Sequence, residues 1–329
     1  MSPQKAMILV VLIWNVGAVT AGDINIFVSP NGNDAGKGTS EADAIASIER
    51  AMRLAEAAPV STTQAKIIFA PGTYKGQSFL TRGSPNDVPI LITSGAGGRA
   101  IFDGDGKGGT WMTLKPRGGS PSNIKIRRIT VTNYETAIDI QGNRNNASVW
   151  AGNMEIRDSK FSDIGDVARA DAPPSTAAIR LVNSDRNVIA GNKFMRIQNN
   201  KLCGLLHALY IAHGSTENLI EDNSFEDSCG DAVRFRDGSG DNIVRSNHFI
   251  NSWSRSPVSD WFCNPEDRKA KGGKECTKAT GECPSYNNLI EQNTVTARIH
   301  RGPVIFIPYG GKPPDNCLPV APTPRAILR

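Results

Sequence analysis

Between residues 178 and 249 the chain repeats a two-part pattern. A short run in which apolar residues alternate, AIRL (178–181), ALYI (208–211) and AVRF (232–235), is each time followed by an asparagine-led unit, NVIAGNKF (187–194), NLIEDNSF (218–225) and NIVRSNHF (242–249). Looser copies are AIDI (137–140), NMEIRDSKF (153–161), NNLIEQNTV (287–295) and VIFI (304–307). Alternation of this kind describes a strand with one face buried. Its recurrence with Asn and Gly at the turns predicts stacked coils in place of a closed globule. Ile179 and Leu181, Leu209 and Ile211, Val233 and Phe235 then point inward. Arg180, Tyr210 and Arg234 point outward and form a column, with about 4.8 Å between neighbours.

The same register sets further columns. Val182, Ala212 and Arg236 form a second outward one. Asn183, His213 and Asp237 align at the strand ends, and His207 opens its strand beside Asp231. Asn192, Asn223, Asn247 and Asn293 share a turn column in which side-chain amides bond coil to coil. Phe194, Phe225, Phe249 and Val295 stack inside.

Upstream, a strand and a turn over 24–34 lead to a helix expected over 41–57, with Ser40 as its cap and Asp43 three residues on. Ile45, Ile48, Met52 and Ala55 recur on one helical face, which suits a plug over the open apolar end of the stack. Residues 253–285 interrupt the period and read as a stapled surface insertion that carries Trp253 and Trp261, rings suited to sugars or to packing. A proline-rich tail covers 313–329. The domain organisation expected is a signal segment at 1–21, one domain over 22–312 and that tail.

The signal reading rests on Lys5, the run MILVVLIW and VTA before Gly22. That run is short for a membrane span, and no later segment is long and apolar enough. All six cysteines lie beyond residue 200, which suits an oxidising compartment, so the protein is expected to be secreted or periplasmic. Their spacings do not describe a zinc site. Cys203 and Cys229 precede consecutive coils and are expected to bond to each other; the pairing of Cys263, Cys276, Cys283 and Cys317 stays open. A net charge of +5 admits an acidic polymer as partner. Nucleic acid is not expected, for want of a recognised motif or dense basic stripe, and a monomer is expected.

The opening FVSPNGNDAGKGTSEADAIASIERAM, the following IIFAPGTYKG and the NxxxxNxF units resemble the right-handed parallel β-helix superfamily of pectate lyases and related secreted polysaccharide-acting proteins. The fold implied is all-β, a single-stranded right-handed parallel β-helix with an N-terminal capping α-helix. The substrate implied is an acidic, uronate-containing polysaccharide and the commonest reaction β-elimination.

That reaction needs a cation on the uronate carboxylate, a base for the α-proton and an acid for the leaving oxygen. Arg180 and Arg234 suit the first role, as guanidinium pairs with carboxylate bidentately. Tyr210 suits the second or third, with a pKa expected to fall beside the arginines. His207 and His213 are alternative bases. Arg236, Asp237, Asn183, Asp231, Trp253 and Trp261 are candidate substrate contacts. The acidic cluster of a pectate lyase calcium site and the DPH motif of alginate C5-epimerases are both absent. A metal-independent route without cofactor is therefore expected, and calcium finds no supporting motif.

Alternatives on the same fold are a uronate C5-epimerase, which shares the proton abstraction, and a glycoside hydrolase. The latter needs two carboxylates about 5–9.5 Å apart, for which Asp139, Asp231 and Asp237 are the candidates. A non-catalytic glycan-binding protein is the remaining alternative.

Overall fold

The computed structural model describes residues 22–166, 174–251, 256–270, 272, 276, 280–296, 304–305, 307–309, 313–315, 317 and 327–328. The signal segment 1–21 and Trp253 lie outside the described residues. Three parallel sheets of nine, eight and eight strands wrap one apolar interior. Each coil contributes one strand to each sheet. Val188–Ala190, Lys193–Ile197 and His207–Ala212 make one coil, and Leu219–Glu221, Ser224–Glu226 and Val233–Arg236 make the next. The chain is therefore a parallel β-helix, right-handed as crossovers between parallel strands are.

Two features of the repeat hold successive coils in register. Between the first and second strand of each coil the backbone turns through a left-handed residue, Gly191 (φ 64°), Asp222 (55°), Ser246 (54°) or Gln292 (54°). The buried asparagine that follows bonds its neighbour one coil on. Asn192 donates its N–H and Nδ2 to Asn223 Oδ1 (2.9 and 3.1 Å), Asn223 to Asn247 (both 3.0 Å) and Asn247 to Asn293 (2.9 and 3.0 Å). The first asparagine of each unit builds a second ladder, Asn187–Asn218–Asn242–Asn288, with amide bonds of 2.7, 2.8 and 2.9 Å. Inside, the rings of Phe161, Phe194, Phe225 and Phe249 stack at 4.9–5.1 Å, and Val295 pairs with Phe249 in the next coil.

The N-terminal helix is shorter than its apolar pattern suggests. Residues 41–43 form only a 3₁₀ turn, and the helix α1 spans Ile48–Glu56. Ile45 accounts for the break, because its backbone pairs with the Ile24–Val28 strand (Ile45 N–H to Phe27 O, 3.0 Å) and so must be extended. The cap accordingly moves from Ser40 to Ser47, whose hydroxyl accepts from Arg50 N–H (3.2 Å), while Asp34 accepts the N–H groups of Ala46 and Ser47 (both 2.9 Å). Ile48, Ala51, Met52 and Ala55 are buried on α1, which packs against Ile24–Val28 and Ala65–Phe69, the first two strands of one sheet, and Phe79–Thr81, the first strand of another.

The 253–285 stretch is part coil and part insertion. Val258–Trp261 is a strand of the third sheet, paired with Val233–Arg236, and only then does the chain leave the stack through α2 (Pro265–Ala270). Disulfides join Cys203 to Cys229, Cys263 to Cys276 and Cys283 to Cys317, with Cα separations of 5.2, 5.7 and 5.5 Å. The last anchors the tail, as does an antiparallel pairing of Ile327–Leu328 with Val304–Ile305. No helix among the described residues is long and apolar enough to cross a membrane.

Candidate functional site

The outward face of the third sheet carries the candidate chemistry. Its register aligns Asp139, Arg180, Tyr210, Arg234 and Ser259 on five successive strands. Two residues on, and so on the same face, Gln141, Val182, Ala212, Arg236 and Trp261 align. The small Ala212 leaves room for Arg236 to reach diagonally to Tyr210, and its Nη1 donates to the phenol oxygen at 2.8 Å. Of these, Arg180, Tyr210, Arg234, Val182, Arg236 and Trp261 line a cavity of about 450 Å³, together with His207, His213, Arg144 and Arg268.

Each column arginine has a carboxylate partner. Arg180 donates Nε and Nη2 to the two oxygens of buried Asp139 (2.8 Å for the Nε bond). Arg234 is bound to Asp231 and donates Nε to Ser259 Oγ (2.6 Å). Arg236 meets Glu282 through Nε and Nη2, both at 2.7 Å, and Glu282 is fully buried. The Nε–Nη2 edge of Arg180 is thus taken by Asp139, and that of Arg234 is shared between Ser259 and Asp231.

Both histidines are buried with Nδ1 engaged. His213 Nδ1 lies 2.8 Å from Asp237 Oδ2, and Nε2 has no hydrogen-bond partner among the described residues. His207 Nδ1 donates to the Asp231 carbonyl (2.9 Å), and its ring stacks on Tyr210 at 5.8 Å between centres. Burial, helped by the positive charge of Arg234, pulls the His207 pKa down to about 4, so this imidazole is neutral at neutral pH. Burial also raises the Tyr210 pKa, against the opposing pull of Arg236. The lowered Tyr210 pKa expected from its neighbours is therefore corrected. Desolvation of the phenolate outweighs the arginines, whose charges are largely cancelled by their own carboxylates.

Other candidate contacts sit behind the cavity wall. Asn183 is buried, and its amide nitrogen donates to the carbonyls of Asn143 (3.0 Å), Val149 (3.1 Å) and Asn146 (3.2 Å), so it holds the 143–149 loop instead of facing the groove. Asp231 and Asp237 are likewise buried and engaged. Trp261 does line the cavity, with the guanidinium carbons of Arg236 and Arg268 at 4.4 and 5.2 Å from its ring centre. Arg144, Arg268 and Glu282 escaped the sequence reading because all three lie outside the repeat.

Among the described residues one metal-capable group occurs, His213, Asp237 and Glu282, with ligand atoms within 4.8 Å of one another. The donors do not fit a cation. Arg236 takes both Glu282 oxygens and Asp237 takes His213 Nδ1, so the ligand atoms are already committed to a guanidinium and to each other.

Neither protein-family models nor curated protein sequences give a match to the chain. Solved structures similar to it include a pectate lyase, Pel9A, at 12% identity and a TM-score of 0.41, covering 85% of this chain and 63% of that one. An alginate lyase from Paenibacillus sp. str. FPU-7 shares 13% identity at a TM-score of 0.45, covering 88% of this chain and 98% of the other. The catalytic domain of a GH87 α-1,3-glucanase shares 12% identity at a TM-score of 0.45, covering 75% and 43%.

Proposed function

We propose that the protein is a secreted or periplasmic polysaccharide lyase that cleaves a uronate-containing polymer by β-elimination. The observation that carries this reading is the meeting of two proton-handling groups at one arginine-lined cavity: Tyr210, held by Arg236, and His213, held by Asp237. His213 is the base. Asp237 fixes its Nδ1 and stabilises the imidazolium formed when Nε2 takes the proton α to the uronate carboxylate. His207 suits that role less, because only a backbone carbonyl supports it and Arg234 opposes its protonation.

Tyr210, kept protonated by burial, gives its proton to the glycosidic oxygen as the C–O bond breaks and the C=C bond forms. Arg236 stabilises the phenolate left behind. The remaining edge of Arg180 and the field of the cavity favour the carboxylate as charge builds on it. Hydrolysis has less support, since Asp139, Asp231, Asp237 and Glu282 are all engaged and none of them lines the cavity.

The test is incubation with polymers of galacturonate, mannuronate, guluronate and glucuronate while following absorbance of the unsaturated product. A lyase raises it on one of them. Reducing ends without absorbance mean a hydrolase, and neither signal means a binder. Deuterium uptake from D2O without chain cleavage means an epimerase.

A further inference from the structure

The three column arginines contribute little net charge to the cavity, because Asp139, Asp231 and Glu282 stand behind them. The uncompensated cations are Arg144 and Arg268, which line the same cavity and have no carboxylate partner among the described residues. The segments that carry them are anchored. Arg144 belongs to the 143–149 loop that the buried Asn183 amide ties down. Arg268 sits on α2, over the Trp261 ring and beside the Cys263–Cys276 bridge, which itself borders the cavity.

Their positions along the stack are symmetric about the proton-handling pair. Arg144 follows the Thr136–Gln141 strand and Arg268 follows Val258–Trp261, whereas His207–Ala212, bearing Tyr210, is the middle strand of the five. Two strand spacings on each side amount to about 10 Å. The segments that carry the two arginines are thus offset from Tyr210 in opposite directions along the stack, towards the sugars that would flank the central one.

We propose that Arg144 and Arg268 are flanking anion subsites that restrict the cavity to an unbroken run of acidic sugars, in which residues on both sides of the cleaved one keep a free carboxylate. This rests on the polyuronate reading above. The two guanidiniums choose the substrate by charge pattern while the central groups perform the chemistry. A neutral or esterified sugar at either outer position leaves a guanidinium without its partner.

The experiment measures affinity by calorimetry in a Tyr210→Phe background, which keeps the ligand intact. The probes are hexamers of galacturonate, mannuronate, guluronate and glucuronate, fully charged or half methyl-esterified. Arg144→Gln and Arg268→Gln should each weaken binding of the fully charged hexamer about tenfold, the scale of one charge-assisted contact. They should weaken the half-esterified hexamer by about twofold or less, lower the salt dependence, and be rescued in large part by Arg144→Lys. Unchanged affinity, equal loss on both hexamers, or no binding of any charged hexamer overturns the inference. The lyase reading is judged apart, by unsaturated product from the wild-type protein. Product without an Arg144 effect sinks the flanking subsites alone, and Arg144-dependent, charge-selective binding without product sinks the lyase reading alone.

Discussion

At the scale of single residues, burial decides what the exposed-looking column can do. Tyr210 keeps its proton and Arg236 holds the oxygen that would carry the charge once it leaves. Tyr210→Phe keeps the aromatic surface and removes the proton, so turnover should fall about 10²–10⁴-fold while affinity for the polymer stays near wild type; steady-state rates beside calorimetric binding check this. A second consequence concerns pH. His207 has a folded pKa near 4 against an ordinary 6.5, so the stability it contributes is present above pH 6.5 and lost as pH falls towards 4. Asp260, buried and bonded by the Ser285 hydroxyl (2.7 Å), is pushed by burial from 3.8 up to about 6, so its contribution is present below 3.8 and lost as pH rises through 6. The slopes oppose each other between about pH 4 and 6. In denaturation series across that range, His207→Gln should become less stable as pH rises and Asp260→Asn more stable. Identical profiles in the two variants would contradict the assignment. The identities and alignment of Arg180, Tyr210 and Arg234 were readable from alternation alone, since period two fixes which side chains share a face. Their protonation and pairing were not, because desolvation and the partners Asp139 and Glu282 come from other coils.

At the scale of elements, the asparagine ladders do what an isolated short strand cannot. Strands of three residues such as Ser224–Glu226 bury little on their own, so each coil depends on its neighbours for bonded turns. Asn223 serves four groups at once: the Asn192 N–H and Nδ2, the Ile189 carbonyl and Asn247 Oδ1. Each buried group left unsatisfied costs about 1–3 kcal/mol, so Asn223→Ala should destabilise the fold by more than about 3 kcal/mol in urea unfolding. A loss below about 1 kcal/mol would show that water replaces the ladder. The ladder was legible because asparagine recurs at one spacing. The start of α1 was not, because pattern alone does not show that Ile45 is taken by the Ile24–Val28 strand. Nor did composition separate Val258–Trp261 from the insertion that follows it; a strand entering from an irregular segment carries no repeat on its N-terminal side to announce it.

For the whole molecule, a stack of parallel coils has two ends, and each presents an apolar layer with unpaired strands. The buried stripe of α1 belongs to a helix packed on Ile24–Val28, Ala65–Phe69 and Phe79–Thr81 near the N-terminal end of the stack, and a charge in that stripe should loosen the helix from them. Met52→Lys should lower the melting temperature and promote self-association, seen as larger species by light scattering; a stable monomeric variant would show that α1 is dispensable. The stack also dictates which residues can stand at its corners. Asn183, His213 and Asp237, at the ends of three successive strands, all adopt left-handed φ, at 44°, 56° and 51°. Few L-residues tolerate that region, and Asn, Asp and His are the ones enriched there. A corner selected purely for backbone shape is therefore stocked in advance with hydrogen-bonding and proton-accepting side chains. From such a corner, a His–Asp dyad is reachable by ordinary single substitutions with no change of backbone, so a coiled scaffold of this kind can acquire, lose or relocate acid–base chemistry along its length during evolution at little cost to its fold.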